Sequence, residues 1–450
     1  LHVCCFISDD EKHANGTNID LKSSFPKIIN GLVKKQAKFP FRSLNKKFMP
    51  NATSDATGIS LRSLFLQHVA QTSPAPLALD IVRAEGCYLY DRSGKKYLDL
   101  IAGIGPSVLG HRHPLVQASV EQQLNTYWHT LVYGEYVLAP QVEFARLLSA
   151  HLPGLDSVYF VNSGAEATEG AMKLAKRFTG RYEFLACRNA YHGSTQGAAS
   201  LMNPTDFTAA FQPLLPGIRN IDFNNMADLA QISSSTAAVI VETVQGEAGV
   251  YPPDPAWLAA LRQRCTETGA LLILDEIQAG FGRTGTLFAF EQYGIVPDVL
   301  LLAKGFGGGM PLGAFIARRE VMQVLTHDPV LGHITTFGGH PVCCAAGLAT
   351  LQVLTQSDLL VRVPEKSVIF HQMLVHPAIR EIRSAGLWFA VDLGSFERVQ
   401  RVIRYCIEHG VITDWFLFND RSLRIAPPLT IEENEIREAC GVILEALDML

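Results

Sequence analysis

The 450-residue chain has no uninterrupted apolar run approaching the roughly 20 residues that a membrane-spanning helix needs. It also lacks a cysteine framework. Its nine cysteines are odd in number and scattered, with adjacent pairs at Cys4-Cys5 and Cys343-Cys344 and no spacing typical of zinc sites or disulfide scaffolds. A reducing compartment, the cytoplasm, is the expectation. An excess of positive charge is missing as well: 38 basic against 43 acidic residues leave a formal charge of −5, which argues against a nucleic-acid polymer as partner. What the chain does have is 48% hydrophobic residues and 36 glycines, over a length that suits one large enzyme subunit with a major and a minor domain.

One local absence sets the N-terminus apart. Between positions 21 and 48 there is no acidic residue, but Lys22, Lys27, Lys34, Lys35, Lys38, Arg42, Lys46 and Lys47 are all present. The first 48 residues carry +5, so the rest carries −10. This segment shows no amphipathic period and stops at Met49, read here as the natural start. A disordered basic tail or a non-native extension is therefore expected, and Asp9-Asp10-Glu11 argue against an organelle transit peptide. Residues 49–114 are expected to open a small domain, with Tyr88–Asp91 and Lys96–Leu100 paired as a hairpin across Ser93-Gly94. Strands and helices alternate over 115–345, the pattern of a large doubly wound α/β domain. Residues 346–450 should complete the small domain with a long helix, strands near Trp388–Leu393 and Leu423–Ala426, and a final helix from about Ile431.

Chemistry-bearing residues stand at the ends of the apolar strands. Val299–Ala303 runs into Lys304 and then a glycine-rich stretch. An ammonium at the mouth of such a strand is either paired with an anion or held as a neutral amine, the form that condenses with an aldehyde. Leu271–Leu274 runs into Asp275, which suits either a helix cap or a partner for a protonated ring nitrogen, and Ile277 would project to the same side. Val158–Val161 leads into Ser163-Gly164-Ala165-Glu166-Ala167 and a helix with apolar spacing that Gly180 would end. Its N-terminus offers free N–H groups to a phosphate, while Ser163 and Glu166 also fit a capping box. Tyr191-His192-Gly193 follows Phe184–Ala186 and supplies an aromatic that could stack on a ring. A lysine, an anion, a phosphate cradle and flat packing are what pyridoxal 5'-phosphate (PLP) requires, and the four occur in one alternating series.

In this order the residues resemble the class III aminotransferases, the ornithine and ω-amino-acid group of PLP enzymes. The likeness runs from about Pro76 to the C-terminus. It rests on Gly110-His111-Arg112-His113-Pro114, Asn162–Ala167, Tyr191-His192-Gly193, Gln245-Gly246-Glu247-Ala248-Gly249 and Asp275-Glu276-Ile277-Gln278. Gly280–Gly285, Lys304-Gly305, Thr336-Phe337-Gly338-Gly339 and Arg424–Pro428 continue it. The resemblance implies fold type I: a large domain with a mostly parallel sheet flanked by helices, plus a small α+β domain built from the N- and C-terminal segments. It further implies that Lys304 forms the Schiff base with the cofactor and that Asp275 pairs with the pyridine nitrogen. Gln278 would contact the ring hydroxyl, with Tyr191 and Ile277 on opposite ring faces. Ser163, Gly164 and Ala165 would bind the phosphate, joined by Thr336 of the neighbouring subunit in a homodimer with shared active sites. Glu247 and Arg424 would form a pair in which the arginine receives a substrate carboxylate and the glutamate masks it, with Glu242 also near the substrate.

The implied reaction is ping-pong transfer of an amino group from an amine or ω-amino acid to 2-oxoglutarate or pyruvate. Racemases, aminomutases and lyases share the same parts, and a catalytically silent PLP-binding dimer is the reading from another class. The Glu247 and Arg424 pair favours transamination, because two substrates must alternate in one pocket. Where several family members carry an arginine after the His-Gly step, this chain has Ser194, which disfavours acetylornithine and γ-aminobutyrate as donors. Ornithine, lysine, diamines and β-amino acids are left. His340-Pro341 also replaces a more usual asparagine-proline. A nicotinamide dehydrogenase, suggested by Gly280–Gly285, lacks a strand joined directly to a helix. A metal hydrolase built on His111 and His113 lacks a third ligand, so no metal is expected.

Overall fold

A computed structural model of the chain describes residues 60–450 apart from residue 204. The expectations for residues 1–48 and for Met49 lie outside the described residues. The chain divides into two compact units, Leu1–Pro76 and Leu77–Leu450. In the first, the helix Leu61–His68 begins at Ser60, whose side chain accepts a hydrogen bond from the Ser63 N–H.

The second unit is organised by a seven-stranded sheet. Its spatial order is Ser157–Val161, Gly313–Ala317, Val299–Leu302, Leu271–Asp275, Thr236–Glu242, Glu183–Cys187 and Ile218–Ile221. The last five of these strands are parallel to one another, and Gly313–Ala317 runs antiparallel to both of its neighbours. Every residue of Thr236–Glu242, Leu271–Asp275 and Val299–Leu302 is buried. That explains the runs of Val, Ile and Leu: a parallel sheet covered on both faces has no wet side for polar residues to occupy. Polarity is therefore postponed to the carboxyl ends, where ligands of open α/β sheets bind. Glu242 and Asp275 end adjacent strands as direct register partners, and Lys304 follows the next strand by two residues.

The helix Gly164–Thr179 shows how local sequence fixes the site's other edge. The Ser163 side chain accepts from Glu166 N, and Gly180 closes the helix at φ +68. Only half of the expected capping box forms. The Glu166 carboxylate turns instead to the N–H of Asn162 at 2.7 Å and to Asn162 Nδ2 at 2.9 Å.

The hairpin Tyr88–Asp91 and Lys96–Asp99 lies between Ile81–Glu85 and the parallel Val411–Ile412, so the two ends of this unit share a four-stranded sheet. A second, antiparallel sheet has the order Glu381–Ser384, Phe389–Asp392, Asn419–Ile425 and Asp414–Phe416. The single long helix expected beyond Gly347 is corrected to two, Pro341–Gln356 and Leu359–Met373, bent by 74° at their junction. Ser357 takes an extended conformation there and its hydroxyl donates to the Val353 carbonyl, which ends the first helix. No single helix among the described residues is long and apolar enough to cross a membrane.

Packing of the Gly164–Thr179 helix on the sheet has one tight point. A Cβ built at Gly170 would sit inside the van der Waals shell of the buried Phe315 ring. Gly170→Ala should therefore lower stability by about 1–3 kcal/mol, despite alanine's better helix propensity. Urea denaturation checks this, and an unchanged or raised midpoint would contradict it.

Candidate active site

Nine side chains or backbone segments singled out in the sequence meet at one cavity of about 590 Å³. Glu242, Asp275, Ile277, Gln278 and Lys304 reach it from the ends of the three central strands. Ser163, Gly164 and Ala165 reach it from the N-terminus of Gly164–Thr179, and Tyr191 from the loop after Glu183–Cys187. The lining also includes the apolar side chains of Pro106, Met310, Pro311 and Leu312. Lys304 adopts a left-handed backbone, φ +51, which a side chain with a Cβ takes only under the constraint of its surroundings.

The charges are set by competition between dehydration and pairing. Loss of water pulls the Lys304 ammonium down to about 8; Glu247, Asp275 and Glu242 push the other way and lose. The Lys304 Nζ donates to Gln278 Oε1 at 2.5 Å. Asp275 is clamped from behind: His192 Nδ1 lies 2.7 Å from Oδ2, and the Ile277 N–H donates to Oδ1 at 2.9 Å. Burial opposes a charged His192, but its hydrogen bond to Asp275 and that carboxylate's charge outweigh the penalty and raise its pKa. Burial pushes Glu242 up to about 8, although the N–H groups of Tyr191 and Gly246 donate to it.

Glu247 and Arg424 stand outside the cavity wall as a buried bidentate pair, with N–O distances of 3.0 and 2.8 Å. Burial alone would raise Glu247, yet Arg424 and then Lys304 hold it below its usual value. Thr336 is exposed and does not line the cavity of its own chain. Ser194 lines the cavity, and its Oγ lies 2.9 Å from the Tyr191 hydroxyl. Gly280–Gly285 forms turns that lead through a short bend into the 3-10 helix Ala289–Tyr293, with no α-helix joined to it. Among the described residues no group of three His, Cys, Asp or Glu side chains is placed to hold a metal ion.

Two features match a planar, phosphorylated ligand independently of any motif. Gln278 Nε2 is buried with no hydrogen-bond partner, a donor waiting for an acceptor inside the cavity. A Cβ on Gly164 would fall 2.7 Å from Ile277 Cδ1, so only glycine keeps that helix N-terminus close to the side chain expected to cover a ring. With an amine, a carboxylate and a helix N-terminus around one space, the residues fit PLP.

Comparison with known proteins gives the same class. The family model for class III aminotransferases matches residues 69–447. The acetylornithine aminotransferase of Archaeoglobus fulgidus is 38% identical over 379 residues, covering 84% of this chain and 98% of that protein. That of Bacillus subtilis is 36% identical over 375 residues, covering 82% and 95%. Among solved structures, an ornithine aminotransferase from Toxoplasma gondii with partial occupancy of PLP at its active site superposes with a TM-score of 0.80 at 32% identity, covering 86% of this chain and 93% of that one. A PLP-bound amine transaminase from an uncultivated Pseudomonas species gives 0.79 at 26% identity, covering 85% and 98%. The chain belongs to the class III aminotransferases. It is a PLP-dependent enzyme of transamination, with the α/β large domain and smaller sheet domain of that family.

Sequence reasoning passed over His192 as a group in its own right. The signal was there: a histidine six residues beyond Ala186, in the loop after one apolar strand of a chain whose central strand ends carry chemistry. Its pairing with Asp275, 83 positions later, is visible only in three dimensions.

In cofactor-free protein, the lowered Lys304 pKa makes the amine half neutral near pH 8 and almost wholly neutral from about pH 9. Covalent uptake of PLP, followed by absorbance, should reach half its plateau near pH 8 and level off by about pH 9. A rate still climbing steeply between about pH 9 and 10 would mean that Lys304 titrates as an ordinary lysine.

Proposed function

We propose that this transaminase takes the amino group from an amine or ω-amino acid and delivers it to 2-oxoglutarate or pyruvate, in alternating half-reactions at the cavity described above. The observation that carries the assignment of roles is the convergence of Lys304, Asp275 and the Gly164–Thr179 N-terminus on one cavity. Bound PLP would supply an aldehyde that exchanges amino groups and a ring that draws electrons from the substrate carbon. Lys304 would hold the cofactor and, once displaced by the donor, carry the proton from the substrate carbon on its neutral Nζ. Asp275, oriented by His192 and the Ile277 N–H, would face the ring nitrogen. The N–H groups at Ser163, Gly164 and Ala165 would take the phosphate, Gln278 the ring hydroxyl, and Tyr191 and Ile277 the two faces. Glu242 would lie against the substrate, and Arg424 would receive a substrate carboxylate when Glu247 releases it.

A homodimer in which Thr336 completes the neighbour's phosphate site is part of this reading. It is supported by the exposure of Thr336 together with Ile334 and Phe337, 48% and 54% exposed. A cytoplasmic setting is supported by the seven described cysteines, all free and buried.

The donor is where two observations pull apart. Curated relatives are named acetylornithine aminotransferases, yet Ser194 puts a neutral hydroxyl, engaged with Tyr191, at the cavity wall. A serine cannot grip a carboxylate with two parallel bonds as arginine does. Donors that need no cation at that position, such as diamines and simple ω-amines, are therefore favoured over N-acetylornithine. Single-turnover conversion of the bound cofactor from its aldehyde to its amine form, scored over a donor panel, tests this. N-acetylornithine reacting fastest would overturn the preference, and no conversion by any amine would overturn the donor reading itself.

Lys304→Ala should abolish turnover while some cofactor stays bound through its phosphate. Asp275→Ala should cut kcat by about 100-fold or more, with a smaller change in donor KM. Steady-state kinetics and the absorbance of the purified variants check both, and near-normal kcat in either variant contradicts its role.

A further inference from the structure

Arg424 is shared by two carboxylates. It sits on the strand Asn419–Ile425 directly across from Asp414 on the neighbouring strand Asp414–Phe416. Its Nη1 and Nη2 donate to Glu247, Nη2 also donates to the Trp415 carbonyl at 2.8 Å, and the guanidinium lies 4.5 Å from the centre of the Phe416 ring. Glu247 is tied on its other side by the Leu417 N–H, which donates to Oε2 at 2.9 Å.

Asp414 has no such arrangement. Its Oδ1 is 3.1 Å from Arg424 Nε, close enough for an ion pair. The two atoms are out of line for a hydrogen bond, and both are buried without any hydrogen-bond partner. Glu247 thus holds the guanidinium in a pose that leaves a second, adjacent carboxylate unsatisfied. The electrostatics show the same asymmetry. Arg424 overcomes burial at Glu247 and lowers its pKa, whereas at Asp414 burial wins and the carboxyl is pushed up to about 6.

If Glu247 alone faced Arg424, releasing it would strand a buried cation, a strongly unfavourable state. With Asp414 present, a small turn of the guanidinium would satisfy Nε and Oδ1 together. An incoming carboxylate takes the edge that Glu247 vacates, so the simple charge effect of Asp414 is nearly equal before and after exchange. The hydrogen bond gained on turning is what does not cancel.

We propose that Asp414 is a positioning residue for the acceptor half-reaction: it receives Arg424 when Glu247 lets go and keeps the guanidinium aimed at the distal carboxylate of a dicarboxylic 2-oxo acid. This rests on the reading of Arg424 as the carboxylate receiver. It makes Asp414 a determinant of the choice between 2-oxoglutarate, which needs the exchange, and pyruvate, which does not.

The test uses holoenzyme with one fixed donor and measures kcat and KM for both acceptors. Asp414→Asn should raise the KM for 2-oxoglutarate by about 10-fold with little change in kcat, the equivalent of one lost hydrogen bond to a charged group. Its pyruvate constants should stay within about 2-fold. Asp414→Glu, which keeps the charge, should recover much of the 2-oxoglutarate KM. In a Glu247→Ala background there is no exchange to assist, and Asp414→Asn should no longer raise that KM. A purely structural role would shift both acceptors together, and that result, or no shift in either, overturns the inference. Arg424→Gln separates the two levels. If it loses 2-oxoglutarate selectively while Asp414→Asn does not, the inference alone fails; if it spares 2-oxoglutarate, the role of Arg424 fails and the inference with it. Should Asp414→Asn not accumulate as folded holoenzyme, Asp414→Ser carries the same comparison.

Discussion

Removing water from ionisable groups at the ends of an apolar sheet is the constraint on which this structure turns. The central strands carry no ionisable side chain until their carboxyl ends, so the charges that line the cavity emerge where solvent is scarce. Each group there must find a partner or change its protonation, and the outcome depends on geometry. Lys304 has carboxylates nearby but donates to the neutral Gln278, so dehydration wins and its pKa falls. His192 touches Asp275 at 2.7 Å, and there pairing wins. Glu276, next to Asp275, is pushed up to about 7 by burial even though the N–H groups of Ala289 and Phe290 and the Thr243 hydroxyl all donate to it. One strand end thus carries two acids with separate tasks: Asp275 turns into the cavity, and Glu276 anchors the following segment.

This constraint also explains which parts of the site were legible in the sequence. A buried parallel strand reads as an uninterrupted apolar run, so the residue that breaks it announces itself. Asp275 and Lys304 were found that way, and Ser163 with Gly180 was found because helix caps are local. Register was not legible. That Glu242 pairs with Asp275 follows from strand order, which the alternation of elements leaves open. The half-formed cap at Glu166 and the bend after Gln356 depended on side chains choosing between two local partners, a choice that spacing does not decide. Glu247 and Arg424, 177 positions apart, were paired through resemblance alone, and nothing in either segment announces the other.

On the proposed roles, the cofactor end and the substrate end are built from different material, which is why the class could be read before the substrate. On those roles, the parts around the cofactor would be backbone and strand ends: the first turn of one helix, two apolar strands that stop, and a glycine that admits Ile277. Those parts tolerate little variation, because a Cβ at Gly164 or a shift of register would displace the site itself. The proposed substrate end is made mostly by side chains on connections, with Ser194 in one loop, Glu247 in another and the Asp414–Ile425 hairpin beyond, joined by Glu242 at a strand end. Exchange of a single side chain there leaves the fold intact and alters which anion or amine is welcome. A relative 38% identical therefore shares the chemistry of amino transfer with more certainty than it shares a donor. The same separation places Asp414 on the substrate side of the division. It acts on the cavity through a guanidinium that a second carboxylate already holds.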